Sequence, residues 1–181
     1  MYGLVNKAIE DMVRRDHGDE TWERVRAEAG VKTPAFLSTA DYEDRVTYDL
    51  VAAASRLLEI DPGALLADFG KFWVLETAPK GYSDLLDAAG SDMRTFLLNL
   101  PDLHSRIMLI LPNLKPPEFD IVEMGEHEAV LSYRSHRPGL QPFVVGLFHG
   151  LGQRFGHQVK VSTEKWGNEE GEPYHFLVSW V

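Results

Sequence analysis

Pro116-Pro117-Glu118-Phe119-Asp120-Ile121-Val122-Glu123-Met124-Gly125-Glu126-His127-Glu128-Ala129-Val130-Leu131-Ser132-Tyr133 is the stretch in which the hydrophobic period of this chain changes. Before the double proline, apolar residues recur at helical intervals. After it, Phe119, Ile121 and Val122, then Ala129 to Tyr133, read as two strands separated by a polar turn near Gly125. Two successive prolines remove two backbone donors and disfavour helix in what precedes them, so they suit a break between a helical half and a sheet.

Upstream of the break, Leu4, Val5, Ala8, Ile9, Met12 and Val13 define an amphipathic helix that ends near Asp16-His17-Gly18. A shorter helix is predicted from Thr21 to Ala29 with Gly30 as its stop, and Val31 to Thr39 reads as a connector. Helical spacing returns from Tyr42 to Leu58. Asp61-Pro62 then places an N-cap and a first-turn proline before a helix bearing Leu65, Leu66, Phe69, Phe72, Trp73 and Leu75. Short helices are expected at Tyr82 to Ala88 and Ser91 to Leu98, and Pro101 restarts the chain in a helix with Leu103, His104, Ile107, Met108 and Leu109.

Downstream, Phe143 to Phe155 is again helical, and Val159 to Ser162 with His175 to Val181 form a closing strand pair around the acidic turn Asn168 to Glu172. The expectation is an α+β fold in a single domain spanning 1–181. Its N-terminal helical part covers about 1–60; residues 61–181 carry further helices and a four-stranded antiparallel sheet packed by one helix.

The chain has 181 residues, 44% of them hydrophobic, enough for one domain with a sizeable core. Its 18 basic and 28 acidic residues give a formal charge of -10, which disfavours a nucleic-acid partner. With no cysteine there is no disulfide, thiolate metal site or covalent haem attachment. No apolar run reaches the roughly 20 residues needed to span a bilayer and the first residues show no basic stretch followed by an apolar h-region, so membrane insertion is not expected and a cytoplasmic location is. Gly-rich phosphate loops, His-Glu-x-x-His and Gly-x-Ser-x-Gly are missing, which leaves enzymatic activity without sequence support.

Two motifs carry chemistry. On an extended strand Tyr133, Ser135 and Arg137 share a face, presenting a phenol, a hydroxyl and a guanidinium to a pair of carboxylates such as the propionates of a haem; His136 points the other way. His104, on an apolar helix face between Leu103 and Ile107, can ligate iron through one nitrogen while the other meets an acceptor. Taken alone, neither is specific. A lone histidine is most often a core or surface residue, and a strand with polar residues on one face is most often simply solvated.

The order of motifs along the chain decides between these readings. Met1-Tyr2-Gly3-Leu4-Val5-Asn6-Lys7-Ala8-Ile9, Phe69-Gly70-Lys71-Phe72-Trp73-Val74, Gly81-Tyr82, Asn99 to His104, Pro116-Pro117, Tyr133-x-Ser135-x-Arg137 and Gly146-Leu147-Phe148-His149-Gly150-Leu151 resemble, in sequence and order, the bacterial haem nitric oxide/oxygen-binding (H-NOX) family, related to the sensor of soluble guanylate cyclase. The resemblance spans nearly the whole chain. It implies a noncovalent haem b buried between the helical part and the sheet, His104 as the iron ligand, Tyr133, Ser135 and Arg137 on the propionates, and Pro117 pressing on the porphyrin.

Carried over by position, the resemblance puts Val5, Ile9, Trp73, Thr77, Phe143 and Leu147 on the gas-binding side. In family members that hold oxygen, a tyrosine lies three residues before the Gly-Leu matching Gly146-Leu147; this chain has Phe143 there. The implied function is a gas sensor for nitric oxide and carbon monoxide with no stable oxygen complex, signalling by release of His104 and movement of its helix. No output domain is expected on this chain, so the implied partner is a separate protein, a histidine kinase or a cyclic-di-GMP enzyme. Reversible oxygen sensing and a haem-free scaffold are the alternatives.

Several residues near these positions have plainer readings. Trp73 at helical spacing suits core packing, Thr77 a bond to its own helix, and His149 the core. Tyr82 is the phenol that can still point inward in place of the missing tyrosine. The acidic clusters Asp16 to Glu23 and Glu169 to Glu172 read as solvated surfaces.

Overall fold

The structure, a computed structural model, describes residues 1–165 and 173–181. The expected turn at Asn168 to Glu172, with its acidic cluster, lies outside the described residues. The chain divides between Phe69 and Gly70 into two compact units.

In the first unit, α1 (Gly3–His17), α2 (Asp19–Glu28) and α3 (Asp44–Leu58) pack together. Ala8, Ile9, Met12 and Val13 of α1 are buried with Trp22 and Val25 of α2 and Leu50, Ala53 and Ala54 of α3. Gly18, at φ 85°, stops α1 where the sequence indicates. Arg14 joins α1 to α2 through Asp19 at 2.6 Å and Glu23 at 3.1 Å, and lies over the Trp22 ring. The acidic run Asp16 to Glu23 is thus partly spent on internal ion pairs. Asp61 caps α4 (Pro62–Phe72), its Oδ1 accepting from the Gly63 and Ala64 amides at 2.9 and 3.0 Å.

Beyond Phe72 the helix does not end but widens into a single π-helical turn, Trp73–Thr77, and continues as α5 (Ala78–Ala89). The Ala78 amide donates to the Trp73 carbonyl, five residues back. Pro79 accounts for this, since its ring cannot donate and would collide with the carbonyl four residues earlier; a wider turn relieves the collision. Tyr82, at φ -139° and ψ 26°, kinks α5. The sequence reading placed a gap where the chain instead makes one distorted helix.

After α6 (Met93–Leu98), capped by Asp92, and α7 (Leu100–Ile110), the chain forms β1 (Glu118–Met124), β2 (Glu128–Arg134), α8 (Gln141–Phe155), β3 (Val159–Lys165) and β4 (Tyr174–Trp180). The four strands form one antiparallel sheet in the order β1-β2-β4-β3, so the fold is α+β as expected. Register is set by alternation. Phe119 faces Tyr133, and Leu131 faces Phe176, all four buried with Val144, Phe148 and Leu151 of α8. Two glycines bring helices close: a Cβ on Gly70 would lie 2.1 Å from the Phe143 carbonyl oxygen, and one on Gly150 would lie 2.9 Å from the Val74 Cβ.

Candidate functional site

His104 is held by α7. Asn99 anchors the start of that helix, its Nδ2 donating to the Ala89 carbonyl at 2.8 Å, and Leu100 and Leu103 are buried on its inner face. His104 follows on the edge of that face, partly buried, with Ile107 packed one turn later. Burial pushes its imidazole down to about 4, so the ring is neutral near pH 7 with a lone pair available. Its neighbour is the Phe119 ring, with centroids 5.9 Å apart and planes at 40°. Contrary to the sequence expectation, no acceptor among the described residues bonds either ring nitrogen; the ring that packs against His104 is Phe119 of β1.

Tyr133 stands near the end of β2, 2% exposed, its ring packed against Phe119 at 5.2 Å and Phe176 at 5.6 Å. Burial raises the phenol pKa, opposed by a hydrogen bond with Ser135 and the charge of Arg137, so the group is a neutral donor. The strand ends at Arg134. Ser135 and Arg137 therefore do not continue the strand face as the alternation implied. They sit in the bend leading to the Pro138-Gly139 turn, where Gly139 has φ 77°. The bend nevertheless gathers them, as the Arg137 amide donates to Ser135 Oγ at 3.1 Å. Arg137 Nη1 also donates to the Lys115 carbonyl at 2.8 Å, one residue before Pro116-Pro117, which are themselves partly buried. His136 is exposed.

Trp73, Thr77, Phe143 and Leu147 also belong to the second unit. Phe143 and Leu147 lie one turn apart on α8, partly buried, and Phe143 meets Trp73 edge to face at 6.4 Å and 75°. The Thr77 side chain makes no cap bond to α5. Val5 and Ile9 lie in the first unit, Ile9 at 2% exposure in its core and Val5 partly buried. His149, read from sequence as core, is exposed: it lies on α8 opposite the face formed by Val144, Phe148 and Leu151.

Sequence reasoning missed Phe119 and the Lys115 carbonyl. The alternation Pro117, Phe119, Ile121 was a legible signal for the first, since those positions share one face of an extended chain. Nothing in sequence marks a backbone carbonyl.

Among the described residues no three His, Cys, Asp or Glu side chains gather as a metal cluster. An iron bound through His104 alone needs its other ligands from a macrocycle. A neutral imidazole on one element, with a phenol, a hydroxyl and a guanidinium on another, fits a porphyrin iron with two propionates.

The family model described as Haem-NO-binding matches residues 2–163. Soluble guanylate cyclase 89Db of Drosophila melanogaster is 24% identical over 86% of this chain, and soluble guanylate cyclase gcy-32 of Caenorhabditis elegans 27% identical over 85%. The match spans 23% of the length of each of these relatives. Among solved structures, an H-NOX protein from S. oneidensis in the Fe(II)NO state superposes with a TM-score of 0.89 at 18% identity, covering 100% of this chain and 99% of that one. The unliganded Fe(II) H-NOX protein from K. algicida gives 0.87 at 20% identity, covering 100% and 97%.

Proposed function

The chain belongs to the Haem-NO-binding family of haem-based gas sensors, and from that premise we propose that it senses nitric oxide, with carbon monoxide as a second ligand, and does not hold oxygen. Haem, when bound, supplies a ferrous iron with one open position for a diatomic gas. His104 supplies the protein's iron ligand. Tyr133, Ser135 and Arg137 would hold the propionates, and Pro117 would press on the porphyrin.

The observation that carries the choice of gas is the Trp73-Phe143 pair. Oxygen on ferrous iron draws negative charge and is retained by a donor, which nitric oxide scarcely needs. Phe143 is where the family's oxygen-binding members place that donor, and its hydrocarbon ring packs against Trp73 at 6.4 Å. Tyr82, at the α5 kink, is partly buried, and its phenol makes no hydrogen bond with the described residues.

Signalling follows from where His104 sits. With no acceptor on its second nitrogen among the described residues, the buried imidazole is a weakly basic ligand and is readily released. Release frees α7 and the Leu111 to Pro117 connector to shift against the sheet. A partner that binds the two arrangements unequally reads the shift, and a histidine kinase or a cyclic-di-GMP enzyme is the partner we propose. No helix among the described residues is long and apolar enough to cross a membrane, in keeping with a cytoplasmic sensor.

The test is His104→Gly. The variant loses haem or retains it only loosely, and added imidazole restores the five-coordinate ferrous spectrum. Tight haem binding with an unchanged spectrum and no imidazole would contradict the assignment.

A further inference from the structure

We propose that Phe119 is a positioning residue for His104: its ring packs against the imidazole and fixes the imidazole plane by packing, in place of a hydrogen-bond acceptor. The inference rests on His104 being the iron ligand. Metal-bound histidines ordinarily donate their second nitrogen to a carbonyl or carboxylate, which both orients the ring and makes it more basic. His104 has no such partner among the described residues, and its ring contact is Phe119 at 5.9 Å.

Phe119 is itself fixed from several sides. It is 6% exposed, packed on Tyr133 at 5.2 Å and 49° and on Phe148 at 6.4 Å and 80°, and paired in register with Tyr133 across β1 and β2. It lies two residues beyond Pro117, which immediately precedes β1. One ring thus touches both the imidazole and the phenol of the propionate-binding group. Packing orients without adding basicity. The ligand is held in one plane and yet stays weakly basic, the combination a releasable iron ligand requires.

The experiment compares Phe119→Leu and Phe119→Met, which keep apolar volume without the ring, with Phe148→Leu, which removes a core ring that does not contact His104. In haem-free protein, the His104 ring-proton resonances, displaced by the Phe119 ring current, move toward free-histidine positions in both Phe119 variants and stay in place in Phe148→Leu. In reduced, haem-loaded protein, the iron-histidine stretching band broadens and shifts for the Phe119 variants alone. In a His104→Gly background, loss of the Phe119 ring weakens imidazole binding by roughly two- to tenfold, the usual strength of an aromatic pair.

An unmoved resonance and band alongside a lowered melting temperature would reduce Phe119 to core packing and overturn the proposal. Resonances that move in haem-free protein while His104→Gly leaves the haem spectrum unchanged would locate the failure in the ligand assignment instead, and would overturn the positioning of an iron ligand with it.

Discussion

Arg137 donates from Nη1 to the Lys115 carbonyl at 2.8 Å, so the cation proposed to hold the propionates is also tied to the connector between α7 and β1. Arg137→Ala removes both ties. Haem dissociation is expected to quicken by about tenfold or more, from loss of charge-assisted bonds worth roughly 1.5–3 kcal/mol. Amide exchange at Asn113 and Leu114 accelerates even without haem. Arg137→Lys restores the charge but not the planar fork, and recovers only part of either effect. Haem transfer to an apo-globin acceptor and hydrogen exchange read the two losses separately.

Phe143→Tyr adds a phenol one turn from Leu147 on α8. The variant is expected to form an oxygen complex that persists in air, with oxygen release slowed by roughly ten- to a hundredfold from one hydrogen bond to a charged group. Stopped-flow absorbance checks this. Nitric oxide affinity changes far less.

Acid acts through His104 in the haem-free protein. Its folded-state pKa is lowered to about 4 from an ordinary 6.5, the cause being burial. Between those values the unfolded chain takes up a proton that the folded chain refuses, so acid favours unfolding. This residue's share of stability is complete above about pH 6.5 and falls away as the pH drops toward 4. Melting temperatures from pH 7 to 5 are expected to fall more steeply for the parent than for His104→Leu. In the loaded protein the proton competes for the same lone pair, and haem is shed over the acid side of that range.

Hydrophobic period was enough to read α1, α3, α8 and the strands, because each buries one face against a partner and its spacing records that face. Gly18 and Asp61 marked boundaries through their backbone chemistry, and the structure uses both. The π turn at Trp73–Thr77 was not legible in the same way, since one inserted residue barely alters a 3.6-residue period; Pro79 was the available clue. Ser135 and Arg137 were misread as strand because alternation says nothing about where pairing stops, and the Pro138-Gly139 turn pulls the chain off the sheet. His149 looked interior between two glycines that do pack closely, but its own side chain leaves the opposite side of α8. The contact between His104 and Phe119, fifteen positions apart in sequence, depends on how α7 lies on β1.

The most direct measurement is the absorption spectrum of the reduced, haem-loaded protein without oxygen, followed by separate additions of air and nitric oxide. The account predicts a five-coordinate high-spin ferrous spectrum that shifts with nitric oxide and forms no stable oxygen complex. A spectrum that converts in air to a persistent oxygen complex would contradict the reading of Phe143, and a protein that retains no haem would contradict the site itself.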